Sequence, residues 1–153
     1  MSKFVDSVFI IHNNPFILSS IIIEFFKNTI PKSNNILLAY LVLPLVLNED
    51  SRKNLQKVMV TSSIHTFSKK RDNFYGLPER VNVYKEMTNK IIQYAIDNNL
   101  IKINEDLSVH VICNSVITVK NLEDYIKASF NLHKIFKDLD VVTIYRLLGI
   151  KSL

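Results

Sequence analysis

Residues Leu37 to Leu47 read LLAYLVLPLVL, and the reading of that run decides the fold. It carries no charge, and its one polar atom of note is the Tyr40 hydroxyl. A membrane span needs about 20 apolar residues. This run is well short of that and gives way at once to Asn48-Glu49-Asp50-Ser51-Arg52-Lys53. It therefore predicts a helix buried on most sides in a soluble core. Pro44 removes a backbone donor and crowds the preceding turn. The helix is expected either to kink at Leu43-Pro44 or to restart there with proline in its first turn. A sharper use of the same run is a hydrophobic seam that also meets another chain.

Composition sets the outer bounds. A chain of 153 residues fits one domain, taken here as residues 1–153. With 48% hydrophobic and 10% aromatic residues it has enough apolar surface to fold. The two glycines, Gly76 and Gly149, leave no GxGxxG or GxxxxGK[ST] phosphate cradle, and glycine poverty argues against a barrel or sandwich built on tight turns. The lone Cys113 has no disulfide partner in the chain and reads as a small core residue in the run VHVIC. His12, His65, His110 and His133 are scattered at no metal-ligand spacing. The net charge of +5 permits contact with nucleic acid or an acidic protein surface and demands neither. Asp6 interrupts the opening apolar stretch and no small-residue cleavage site follows, so the expected location is the cytoplasm, with no membrane contact.

Working outward, residues 3 to 12, KFVDSVFIIH, are β-branched enough for an extended segment. Asn13-Asn14-Pro15 is a helix start, asparagine as N-cap and proline in the first turn. In the helix Phe16 to Ile30, one face carries Phe16, Ser19, Ile23, Phe26 and Ile30, widened by Leu18, Ile22 and Phe25. After the central run, Asp50 or Ser51 is expected to cap a short polar helix, and Thr61-Ser62 another. Lys69-Lys70-Arg71 is the one run of three basic residues, followed by a loop around Phe74 and Tyr75.

Glu79 to Leu100 is the clearest amphipathic helix. Tyr84, Met87, Ile91 and Ala95 form its stripe, extended by Val81, Val83, Ile92 and Ile96. The period then changes. Residues 100–112 predict a β-hairpin turning at Asn104-Glu105-Asp106, with Leu107, Val109 and Val111 facing inward. A long helix running into a hairpin is the layout of a winged-helix module. Asn121 to Phe136 is a further helix, and Asp138 or Asp140 caps the last, with Val141, Ile144, Tyr145 and Leu148 inward and Gly149 just past its end. The fold class is mostly α with a small hairpin, a winged-helix-like helical domain.

Paired carboxylates, a nucleophile elbow, a metal motif and a nucleotide loop are all missing from the sequence. Ser62 and Ser63 beside His65 do not make a triad, because triad partners come from separate elements. The expectation is a binding or scaffolding module without catalytic residues, metal or cofactor. Candidate contacts to DNA or a partner are Lys69, Lys70, Arg71, Arg80, Lys85 and Lys90. Candidate partner-facing apolar residues are Phe16, Phe25, Phe26, Tyr145 and Ile150.

Five stretches together resemble one family. They are the Asn14-Pro15-Phe16 helix start, the block LAYLVLPLVLNEDSRKNL from Leu38 to Leu55, Pro78-Glu79-Arg80, the join IQYAIDNNLIKI from Ile92 to Ile103, and the closing IYRLLGIK from Ile144 to Lys151. The chain resembles the middle component of bacterial three-component ABC ATPase systems, a class that includes Lamassu-type anti-phage defence. Asn48 stands where that pattern has a histidine, and Asn98-Asn99 where a glycine is usual. The resemblance implies a non-catalytic subunit joining an SMC/Rad50-like ABC ATPase to an effector, often a nuclease, with DNA reached through the complex. The competing expectation is a stand-alone winged-helix DNA-binding regulator. Against it, the Arg80–Lys90 stretch mixes Asn and Glu86 with its cations and lacks a dense basic face.

Overall fold

The computed structural model describes residues 14–69, 74–113 and 121–153, so the expected extended segment at residues 3–12 lies outside the described residues. Asn14 opens helix α1 (Pro15–Asn28), its Oδ1 accepting from the Phe16 and Ile17 amides at 3.0 and 3.3 Å. This satisfies two of the donors that every helix start leaves unpaired. The buried face of α1 is Leu18, Ser19, Ile21, Ile22, Phe25 and Phe26. It is rotated from the expected one: Phe16 and Ile30 are exposed, and Ile23 is only partly covered.

A 3-10 turn at Asn35–Leu38 leads into α2, Ala39–Val46. The helix neither restarts at Pro44 nor ends there. It runs through the proline, and the Leu47 amide still reaches the Leu43 carbonyl at 2.9 Å. Everything from Leu41 to Leu47 is buried, as the unbroken apolar run requires. Each fully buried aliphatic side chain contributes about 1.5–3 kcal/mol. That offsets the loss of one ladder hydrogen bond at proline.

Asn48 then caps α3 (Glu49–Leu55), its Oδ1 accepting from Ser51 N–H at 3.0 Å. The cap falls two positions before the earliest expected, Asp50. Likewise Ser63, not Thr61 or Ser62, caps α4 (Ile64–Ser68) by accepting from Thr66 N–H. Both residues adopt the extended backbone that an N-cap needs.

Helix α5 spans Leu77–Asp97, with Leu77, Val81, Thr88, Ile91 and Ala95 buried. Val83 and Ile96 turn outward, 73% and 38% exposed, and Thr88 takes an inward place the apolar pattern did not assign. Strands β1 (Ile101–Ile103) and β2 (Val109–Val111) follow as an antiparallel hairpin with Ile101 opposite Val111 and Ile103 opposite Val109. Leu107 has φ +62 and is exposed, whereas Ser108 is buried, so strict alternation begins only at Val109. The hairpin turn is tied to the body of the molecule. Asn34 N–H donates to the Asp106 carbonyl at 2.8 Å, Ile36 N–H to that of Leu107 at 3.2 Å, and Val109 N–H to the buried Asn35 Oδ1 at 2.8 Å.

Helix α6 (Glu123–Phe136) lies across α1, and α1 also packs on α5. Two buried polar side chains pin α6 in place: Ser129 Oγ donates to the Ile21 carbonyl at 2.6 Å, and Asn131 Nδ2 to that of Leu55 at 2.8 Å. Asp140 is the N-cap residue of helix α7 (Val141–Leu147), in extended backbone. The helix ends in a Schellman motif: Gly149, at φ +73, donates to Arg146, and Ile150 donates to Tyr145. Around α2 close α1, α5, α6 and α3, and one apolar cluster runs through all of them. The class is therefore mostly helical with a two-stranded hairpin.

Candidate partner-binding surfaces

The expected basic residues are placed in different ways. Lys69 is exposed at the C-cap of α4, and Lys70 and Arg71 lie outside the described residues. Arg80 sits half-buried in the first turns of α5, where burial lowers its pKa and the neighbouring Tyr84 and Asp50 oppose that shift. Lys85 is half-buried. Lys90 is exposed and 3.6 Å from Glu86, a surface pair of the kind that contributes little. Among the described residues, Lys69 stands at the end of α4 and Arg80, Lys85 and Lys90 on α5.

A cation that pattern reading passed over has a clearer task. Arg52 Nη1 donates to the Val46 and Leu47 carbonyls, both at 3.2 Å, and its guanidinium lies 4.4 Å from the centre of the Tyr125 ring. It covers carbonyls left open at the end of α2 and locks α3 to α6 through a cation–π contact. No local signal marks it, since Tyr125 is far away in sequence.

The five apolar candidates also divide. Phe25 is fully buried, edge-on to Phe26 at 5.1 Å and Phe136 at 6.1 Å, and Phe26 and Ile150 are buried as well. These three side chains hold the chain's own core together. Phe16 remains 43% exposed, with an edge on Tyr94. Tyr145 is half-buried and its hydroxyl donates to the Leu37 carbonyl. Burial, with Tyr40 nearby, pushes its pKa far above the ordinary value. Cys113 is partly covered, not a core residue.

Tyr145 also forms part of a groove of about 570 Å³, walled by Leu37, Val141, Val142, Ile150 and Leu153. Val142 is 63% exposed and Leu153 41% exposed. Arg146 and Lys151 line the same groove and are exposed. Of this set the sequence marks Tyr145 and Ile150 as partner-facing and Val141 as inward. Val142 and Arg146 fall between the inward positions of α7, so helical spacing marks them as solvent-facing and says nothing about a groove.

Polar groups elsewhere serve local structure. Ser62 Oγ accepts from Met59 N–H at 2.9 Å, and Ser63 is a cap; the pair beside His65 makes turns. Lys32 Nζ donates to the Leu139 carbonyl, and burial lowers its pKa against the opposing pull of Asp140 and Asp138. Among the described residues no group of three His, Cys, Asp or Glu side chains is placed to hold a metal ion, and no helix is long and apolar enough to cross a membrane.

The α-helical body with its hairpin closes around the buried central run, and a largely apolar groove opens beside α7. The model of Middle Component 3 of ABC-three component systems matches residues 2–152, and the chain belongs to that family. No curated protein and no solved structure matches it.

Proposed function

We propose that this chain is the non-catalytic accessory subunit that joins an SMC/Rad50-like ABC ATPase to an effector, often a nuclease, in a Lamassu-like anti-phage defence complex. Membership of the middle-component family over residues 2–152 carries the reading. The polar side chains support it, because those traced above act as caps and clamps: Asn48, Ser63, Arg52 and Asn131 each satisfy a backbone group. The unit of α5 and the hairpin is read as winged-helix-like, and Lys69, Lys70 and Arg71 are assigned either to the rim of the partner contact or to DNA held by the complex. The subunit works in the cytoplasm and needs no cofactor of its own.

Co-expression with the neighbouring ATPase and effector genes, followed by size-exclusion chromatography, tests the assignment. The expected result is one peak containing all three chains. A chain that elutes alone, while ATPase and effector assemble without it, would overturn the subunit reading and promote the stand-alone DNA-binding regulator.

A further inference from the structure

The groove beside α7 lies within the ~300–1,000 Å³ of ordinary ligand pockets. Apolar side chains make most of its wall, and the chain leaves Val142 and Leu153 open to solvent there. Its charged lining is cationic, Arg146 and Lys151. Arg146 is among the groups that lower the Asp140 pKa, behind the Thr143 hydrogen bond, and none of the described salt bridges engages either cation.

We infer that this groove docks an acidic, amphipathic segment of a partner subunit: large apolar side chains seated between Tyr145, Val142 and Leu153, and carboxylates meeting Arg146 and Lys151. Amphipathic helices enter grooves in this way, apolar anchors at helical spacing supplying contact and flanking charge supplying selectivity. A second copy of the chain fits less well. At a net +5 it brings like charge to a cationic rim. Nucleic acid supplies the negative charge and leaves the apolar walls without a partner. The inference rests on the subunit reading and adds to it the surface and the chemistry of the contact.

The test uses the full chain with its co-expressed ATPase and effector, and then overlapping synthetic peptides from those two subunits in fluorescence anisotropy. A peptide pairing large apolar residues with acids is expected to bind. Val142→Glu and the double variant Arg146→Glu with Lys151→Glu should each weaken it on the order of tenfold or more, and added salt should weaken wild-type binding. Val83→Glu, at an exposed position on α5, should bind as wild type. The double variant changes only exposed residues, so it decides the matter should Val142→Glu melt early.

If the three-chain complex forms and both groove variants bind every peptide as wild type does, the groove assignment is overturned and the subunit reading stands. Equal loss from Val83→Glu overturns it too. So does a wild-type chain that dimerises alone while Val142→Glu is monomeric, or a groove whose binding is matched by oligonucleotide alone. Failure of the complex to form at all overturns both readings.

Discussion

Helix α2 and the C-terminal helix α7 are both short, apolar and of similar length, Ala39–Val46 against Val141–Leu147, yet the chain treats them oppositely. Four helices close around α2, and every residue from Leu41 to Leu47 is buried. The closest packing of α7 is on the 3-10 turn, aided by the Tyr145 hydroxyl on Leu37, and its other side opens on a groove. Apolar composition alone does not say which run is core and which is surface. The neighbours decide it: the chain itself covers α2 and leaves Val142 on α7 exposed.

The sharpest way to break this contrast is a charge in α2. Leu41→Asp or Val46→Asp places an unpaired carboxylate in a fully buried site, a cost of several kcal/mol. Against a total stability of about 5–15 kcal/mol, the expected outcome is an unfolded chain by circular dichroism. An unchanged melting temperature in either variant contradicts the burial of α2. A milder version, Leu43→Ala, should cost about 2–5 kcal/mol, read in urea titration, whereas Val142→Ala on α7 should change stability by less than about 0.5 kcal/mol.

Next in size are single groups that carry no apolar surface. Asn35→Ala removes the acceptor of the buried Val109 N–H and should cost about 1–3 kcal/mol. Gly149→Ala meets nothing within 4 Å, so its effect is purely the left-handed backbone at φ +73, about 1–2 kcal/mol. That loss should fall on the end of α7 and leave the α2 amides as slow to exchange as before.

The smallest effect expected is a pH dependence. The folded chain holds the Tyr145 phenol neutral, its pKa raised by burial above the ordinary 10.0. A raised folded pKa means that the folded state keeps the proton longer than the unfolded one. The contribution is therefore complete below pH 10.0 and is lost as pH rises above it. Tyr145→Phe should flatten the alkaline fall in melting temperature, and an identical fall in the variant would contradict the assignment. Tyr40 and Tyr84 are shifted the same way by burial, so part of the fall should persist.

Much of this was legible in the sequence, for physical reasons particular to each place. The charge-free run from Leu37 to Leu47 has no solvent-facing solution, so its burial follows from composition. Asn14 with Pro15, and Gly149 after the last inward residue, are local signals whose chemistry acts within a turn. The misses come from information that is not local. The phase of α1 depends on which flank meets α6, and nearly every residue of α1 is apolar enough to serve. The inward placement of Ser108 goes with the positive φ at Leu107, which breaks the alternation before Val109 and leaves Val109 inward as expected. Asn48, which departs from the resembled family's pattern, is the cap of α3. Among the candidate contacts, Phe25 packs inward against Phe136, which arrives from far along the chain, and Phe26 packs against Phe25. The groove is assembled from Leu37 and α7 residues that no periodic pattern links.

Amide hydrogen exchange, compared between the free chain and its complex with the ABC ATPase and effector, tests the contrast between α2 and α7 most directly. The account predicts that the amides of α2 are among the slowest in both states. It predicts that those of α7 and residues 150–153 exchange quickly in the free chain and slow markedly in the complex. Amides of α7 as protected as those of α2 in the free chain, or unchanged on assembly, would contradict it.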